Sequence, residues 1–236
     1  MTYASSFPFA GKQCSFKLPK EHGAVVVFSL SCIISLLLCR AEPTVAACSE
    51  IVLWAMVLSM HQPRQLLVVT ALGILVLQLF FGAPLALLIA IVWVGLQATK
   101  SSHARNGFWW REAVGMSGVA LAPLMVSYLV AGDHSLPLTA AAALLAAVFT
   151  GSALIRVSRK ETRVNPIPAA LLSLVLWLCL TAASPIIAAL SLIPYVAQSI
   201  WLVQESSPSF KTLGQIQSLS LLWVAAAITI HIFGIA

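Results

Sequence analysis

Glu50 is the residue in this chain whose chemistry is hardest to reconcile with a purely structural role. It lies eight residues after Glu42 and eleven before His61, inside an apolar run. At ~1.5 Å per residue it sits about 12–16 Å from either end of that run. An ionisable group at such depth in an apolar medium marks a functional site by default. No basic residue falls at similar depth in another run, so no ion-pair partner is expected. Glu50 then suits a proton carrier, an acid/base group or a ligand anchor. A neutral glutamic acid hydrogen-bonded between helices is the alternative. Gln78, Gln97 and Gln198 also interrupt apolar runs, and each fits interhelical hydrogen bonding or a ligand contact.

A second concentration of chemistry gathers at run boundaries. Lys20, Glu21 and His22 precede Gly23 at the start of the first run, while His61 and Arg64 lie between the second and third. His103, Arg105, Arg111 and Glu112 fall between the fourth and fifth, beside Trp109 and Trp110. A helix starting there presents its positive dipole end, which with neighbouring arginines suits an anionic group. The ligand-binding set is therefore Lys20, Glu21, His22, Glu50, His61, Arg64, Arg105 and Arg111. The same basic residues also serve topology and bind anionic headgroups, and tryptophans form interfacial belts. Glu21 and His22 serve neither purpose well, and Gly23 allows close backbone approach.

As a catalyst, His22 has a suitable unperturbed pKa of about 6.5. No nucleophile elbow, phosphate loop or metal motif accompanies it. A haem or metal centre on His22, His61 and His103 finds no H-x-x-x-H or C-x-x-C-H pattern, so no metal is expected and the cofactor stays open. Cys14, Cys32, Cys39, Cys48 and Cys179 form no C-x-x-C pair and are odd in number. They read as small hydrophobes rather than a disulfide framework.

The elements that position these residues follow from composition. The 236 residues are 60% hydrophobic and 8% charged, with a mean hydropathy of +0.98. A soluble domain carries roughly a quarter charged residues, so lipid must be the solvent for most of this chain. The net charge of +6 reads as the basic excess of cytoplasmic loops and not as a nucleic-acid footprint. Nine segments qualify as spanning helices: about 22–39, 43–60, 66–82, 83–99, 113–131, 137–155, 166–183, 185–203 and 212–234. Pro84, Pro137, Pro166 and Pro185 lie in opening turns, where a missing N–H costs little. Pro123 and Pro194 fall inside helices and predict kinks.

Charge orients the bundle. With the N-terminus inside, the cytoplasmic side holds Lys12, Lys17, Lys20, Arg64, Lys100, Arg105, Arg111, Arg156, Arg159, Lys160, Arg163 and Lys211, leaving Arg40 alone outside. Merging or dropping one helix would put the basic stretch 156–163 on the wrong side. An all-α, polytopic bundle of about nine helices is expected, N-terminus cytoplasmic and C-terminus outside. Residues 1–17 form a polar cytoplasmic segment without signal-peptide character, and 18–236 a single transmembrane domain. Ala143, Ala147 and Gly151, and likewise Gly214 and Ser218, predict close helix packing.

The run Leu18-Pro19-Lys20-Glu21-His22-Gly23-Ala24 resembles the opening motif of the YwiC-like family of bacterial integral membrane proteins. Gly151-Ser152-Ala153-Leu154-Ile155-Arg156 and Lys211-Thr212-Leu213-Gly214-Gln215-Ile216-Gln217 fit the same pattern. Val25 stands where the family usually has tryptophan. The resemblance implies a multi-pass protein of the bacterial inner membrane and draws attention to Lys20, Glu21 and His22, but supplies no reaction.

A looser likeness in architecture is to the UbiA-type intramembrane prenyltransferases, which have nine helices and a cavity open to the cytoplasm. Their chemistry needs two aspartate-rich motifs to hold Mg²⁺ on a diphosphate. This chain has one aspartate, Asp133, in an expected external loop. A standard member of that class is excluded.

The leading expectation is a bundle binding a small anionic or lipid-like molecule in a cytoplasm-facing pocket. The alternatives are a proton-coupled small-molecule transporter using Glu50, an intramembrane enzyme of degenerate prenyltransferase-like fold, and an accessory subunit or assembly factor of a membrane complex.

Overall fold

The computed structural model describes residues 22–40, 42–59, 64–82, 87, 89–90, 109–131, 134–158, 165–205 and 208–234. Among these the chain is all α-helical. Its eight helices are α1 (His22–Leu38), α2 (Pro43–Ser59), α3 (Arg64–Phe81), α4 (Trp109–Val130), α5 (Ser135–Ser158), α6 (Ile167–Ala183), α7 (Pro185–Gln204) and α8 (Phe210–Ile232). Each coincides with an expected segment. The expected helix over 83–99 lies, apart from Leu87, Ile89 and Ala90, outside the described residues.

Local chemistry sets several helix ends. Pro166 occupies the N-cap of α6, and Pro185 the first position of α7, where the absent N–H would have had no intrahelical partner. Ser184 alone separates α6 from α7, its N–H closing α6 on the Leu180 carbonyl at 2.7 Å. Ser209 caps α8 by accepting from the Thr212 N–H at 3.1 Å.

Paired contacts fix the directions of the helices. Ser31 meets Ala120 and Ser35 meets Pro123, so α1 and α4 run parallel. Phe28 packs on Trp54 and Ser35 lies beside Glu50, so α2 runs antiparallel to α1. Gly73 packs on Val52, and α3 returns alongside α2. Gln198 meets Gln217 and Leu190 meets Trp223, which sets α7 antiparallel to α8. Arg40, just past α1, lies over the Phe233 ring, just past α8, at 4.6 Å from its centroid. The starts of α1, α3, α4 and α8 therefore share one end of the bundle, together with the last turn of α5. That end holds Arg64, Arg111, Arg156 and Lys211, while Arg40 marks the opposite end.

The centre of the bundle is α1 and α5. α1 packs against α2, α4, α5 and α8, and α5 against α1, α4, α6, α7 and α8. α5 can hold so many neighbours because Ala140, Ala143, Ala147 and Gly151 are all buried along one face, and small residues let backbones approach closely. The second small pair behaves differently. Gly214 is exposed, and a Cβ there would meet nothing within 4 Å among the described residues. Ser218 spends its hydroxyl on the Gly214 carbonyl of its own helix at 3.0 Å. Four-residue spacing identifies a small face, but not which way that face points.

The outside of the bundle is apolar: Val203, Phe80, Leu79 and Ile51 are 87%, 76%, 74% and 68% exposed. Inside lie Ser31, Ser35, Ser49, Glu50, Ser127, Ser191 and Gln198. This reverses the usual distribution in water. Three helices, Ser135–Ser158, Pro185–Gln204 and Lys211–Ile232, are long and apolar enough to cross a membrane. Five shorter apolar helices accompany them.

Candidate functional site

Glu50 is set where α1, α2 and α4 meet. On α2 the buried positions Ala46, Ser49, Glu50, Leu53, Met56 and Val57 recur at three- and four-residue intervals, so Glu50 is carried inward as part of the core face. The opposing face of α1 buries Phe28, Ser31, Cys32, Ser35 and Cys39 with the same period. Glu50 is only 4% exposed.

Two serines of α1 fasten this region to α4. Pro123 has no N–H to give Val119, which loosens the helix at that turn. The Ser31 hydroxyl donates to the Ala120 carbonyl at 2.6 Å, and the Ser35 hydroxyl to the Pro123 carbonyl at 2.5 Å. Ser35 also contacts the Glu50 carboxyl. The Ser35 hydroxyl therefore lies between the Pro123 carbonyl and the Glu50 carboxyl, and its one proton serves one of them at a time. Glu50 Oε1 has no hydrogen-bond partner among the described residues.

The walls around the carboxyl are apolar or weakly polar. The Cys32 and Cys39 thiols lie within electrostatic reach of Glu50, and the Trp54 indole bonds to Cys32. Trp54 also packs edge-on to Phe28, with centroids 4.8 Å apart and planes at 89°. No cation faces Glu50 among the described residues, and no group of three or more His, Cys, Asp or Glu side chains there is placed to hold a metal ion.

Of the remaining ligand-binding candidates, the described ones, His22, Arg64 and Arg111, lie toward the basic end. Lys20, Glu21, His61 and Arg105 fall outside the described residues, as do His103 and Gln97. His22 opens α1, Arg64 opens α3 and Arg111 is the third residue of α4. The parallel pairing of Ser31 with Ala120 puts His22 and Arg111 nine residues before the same contact, hence at one level of the bundle. Ser35, at the level of Glu50, is thirteen residues beyond His22, or roughly 20 Å along the axis. The His22 level and Glu50 are thus two separate depths along the same pair of helices.

A second polar cluster joins α5, α6, α7 and α8. Thr150 Oγ1 lies 2.5 Å from Ser173 Oγ and accepts from Trp177 Nε1 at 2.9 Å. Gln217 Nε2 donates to Gln198 Oε1 at 3.1 Å and to the Gly151 carbonyl at 3.3 Å. Gln198 is buried, whereas Gln78 points outward from α3. Sequence reasoning selected Gln198 but missed Gln217 as its partner. The signal was available, since Gln217 closes the Lys211–Gln217 run and Gly151 opens the Gly151–Arg156 run. The fold brings the two runs into contact.

No known protein family, no curated protein and no solved structure matches this chain.

Proposed function

We propose that this chain is a YwiC-like, multi-pass protein of the cytoplasmic membrane that binds an anionic or lipid-like molecule from the cytoplasmic side. The basic end, with Lys20, Glu21, His22, His61, Arg64, Arg105 and Arg111, receives the anionic head, and Glu50 is the deep polar point. The observation that carries this reading is the shared level of His22 and Arg111 above a carboxyl buried between the same helices. A separation of roughly 20 Å means that only an elongated, lipid-like molecule touches both ends. A small anion would stay at the mouth.

Nine spans fit this reading. α3 runs away from the basic end and α4 starts at it again. The nine-span proposal assigns a further span to the apolar run 83–99, which is long enough for one. Positive-inside charge then orients the basic end to the cytoplasm and the C-terminus outside. The test is purification in mild detergent with mass spectrometry of co-purifying small molecules. Wild type should retain an amphiphile that His22→Ala loses at equal folded yield. Equal retention would reject the mouth.

A proton-coupled transporter is the second reading, favoured by the buried Glu50 Oε1, which has no hydrogen-bond partner among the described residues. In it Glu50 carries the proton, and Pro123 and Pro194 mark the moving helices. Proteoliposomes should show pH-gradient-dependent flux of a transported solute that Glu50→Gln eliminates.

A further inference from the structure

Three buried polar atoms lie along a single face of α7. Ser191 Oγ, Tyr195 Oη and Gln198 Nε2 have no hydrogen-bond partner among the described residues, and their residues are 0%, 2% and 3% exposed. Their spacing of four and then three residues places them on one stripe. It spans about 10 Å of the helix axis. Buried polar groups are almost always paired, and in lipid an unpaired one is costlier still. Alanine, phenylalanine and leucine would fill these positions without that penalty. Three such groups in line on one helix call for a partner that the described residues do not provide.

Two further features identify how a partner would reach them. Pro194 lies inside α7, between Ser191 and Tyr195, and removes the N–H that would bond the Leu190 carbonyl. That carbonyl is taken instead by Trp223 of α8, whose indole N–H donates at 2.9 Å. α7 thus has a proline break next to the polar stripe, with the Trp223 side chain latched on the carbonyl that the break leaves open.

The stripe also limits the ligand. No ionisable side chain other than the tyrosine itself belongs to it, so it suits neither an anion nor a cation. Its groups lie at different depths, so the head of one lipid cannot meet all three. A succession of small neutral molecules can. Pore selectivity of that kind arises from hydrogen-bonding groups lining one side of a narrow passage.

We propose that Ser191, Tyr195 and Gln198 line a path for small neutral hydroxylic molecules, water or a short polyol, through the α5–α8 half of the bundle. The path is closed here and opens when α7 bends at Pro194 with release of Trp223 from Leu190. It is separate from Glu50, which lies between α1, α2 and α4.

The test uses the full chain in phosphatidylcholine vesicles, with light scattering after a sucrose shock for water and a glycerol shock for glycerol. Wild-type vesicles should respond several-fold faster than protein-free vesicles. Gln198→Leu and Ser191→Ala should each remove most of that excess, and Trp223→Phe should increase it. Excess for water alone, or for both solutes, supports the path and gives its width. Wild-type rates equal to those of empty vesicles, or rates indifferent to all three substitutions, overturn it. Should the path variants fail to fold, Ser191→Cys in the otherwise unchanged chain supplies the answer. Modification at position 191 by a charged methanethiosulfonate, located by mass spectrometry, supports opening to water, and a position that stays unmodified overturns it.

Discussion

Gln217 of α8 lies against the backbone of Gly151 on α5, donating to its carbonyl at 3.3 Å. A Cβ at position 151 would overlap the Gln217 amide oxygen. The contact joins two helices 66 residues apart in sequence and exists because position 151 has no side chain. Gly151→Ala should displace the flexible end of Gln217, break its bond to Gln198 and destabilise the fold by about 0.5–1.5 kcal/mol, the net worth of the lost hydrogen bonding. Thermal unfolding in detergent measures this, and Gly151→Ala combined with Gln217→Ala should recover part of the loss.

Ser31 and Ser35 hold α1 to α4 through hydroxyl–carbonyl bonds that α4 presents around Pro123. Replacing either by alanine should cost about 0.6 kcal/mol, and no more than ~1.7. Ser35→Ala should also change the environment of Glu50, which shares that hydroxyl. Infrared difference spectra of the carboxyl C=O stretch should therefore move in Ser35→Ala and stay in place in Ser31→Ala.

Among the described residues Glu50 has no cation to lose. Glu50→Gln should leave unfolding within about 1 kcal/mol of wild type, because glutamine keeps the shape and the hydrogen-bonding capacity. Glu50→Lys should be worse by about 2.5–3.5 kcal/mol, since it places a cation in the same apolar surroundings. A large loss on Glu50→Gln would show instead that an ion pair holds the carboxylate.

The two ends of the bundle should be chemically distinguishable in cells. His134 and Lys211 are both exposed, the first at the end marked by Arg40 and the second at the basic end. In the proposed orientation, His134→Cys should react with an impermeant maleimide applied outside intact spheroplasts. Lys211→Cys should react only after lysis. The opposite pattern would invert the topology.

Arg40 is the one lysine or arginine at its end of the described bundle, and its guanidinium rests on the Phe233 ring. Phe233→Ala should lower stability by about 0.5–1 kcal/mol, the size of an exposed cation–π contact. Phe233→Trp should preserve it. Unfolding midpoints of the two variants decide the matter.

Hydropathy and charge were enough to locate eight of the helices, because a spanning segment needs only length and apolarity, and both are linear properties of the chain. The prolines inside α4 and α7 were equally plain, since a missing N–H is local. Gly214 and Ser218 show where this stops. Their spacing matches that of Ala143, Ala147 and Gly151, yet one face is buried and the other is not. Facing is set by neighbours, and neighbours are not written in a helix's own period.

Sequence alone singled out Glu50, because an ionisable residue deep in an apolar run stands out without knowledge of any contact. Sequence also led to the expectation of basic residues at one end, where the structure has Arg64, Arg111, Arg156 and Lys211, because charge count along a threaded chain is a one-dimensional sum. Only the tertiary structure decided that Glu50 faces Ser35 and two thiols, that His22 and Arg111 share a level, and that Ser191, Tyr195 and Gln198 lie unpaired on one stripe. Each of those depends on the rotation and axial offset of one helix against another. Rotation and offset are fixed by side-chain packing between segments tens of residues apart, and no window along the chain contains both partners.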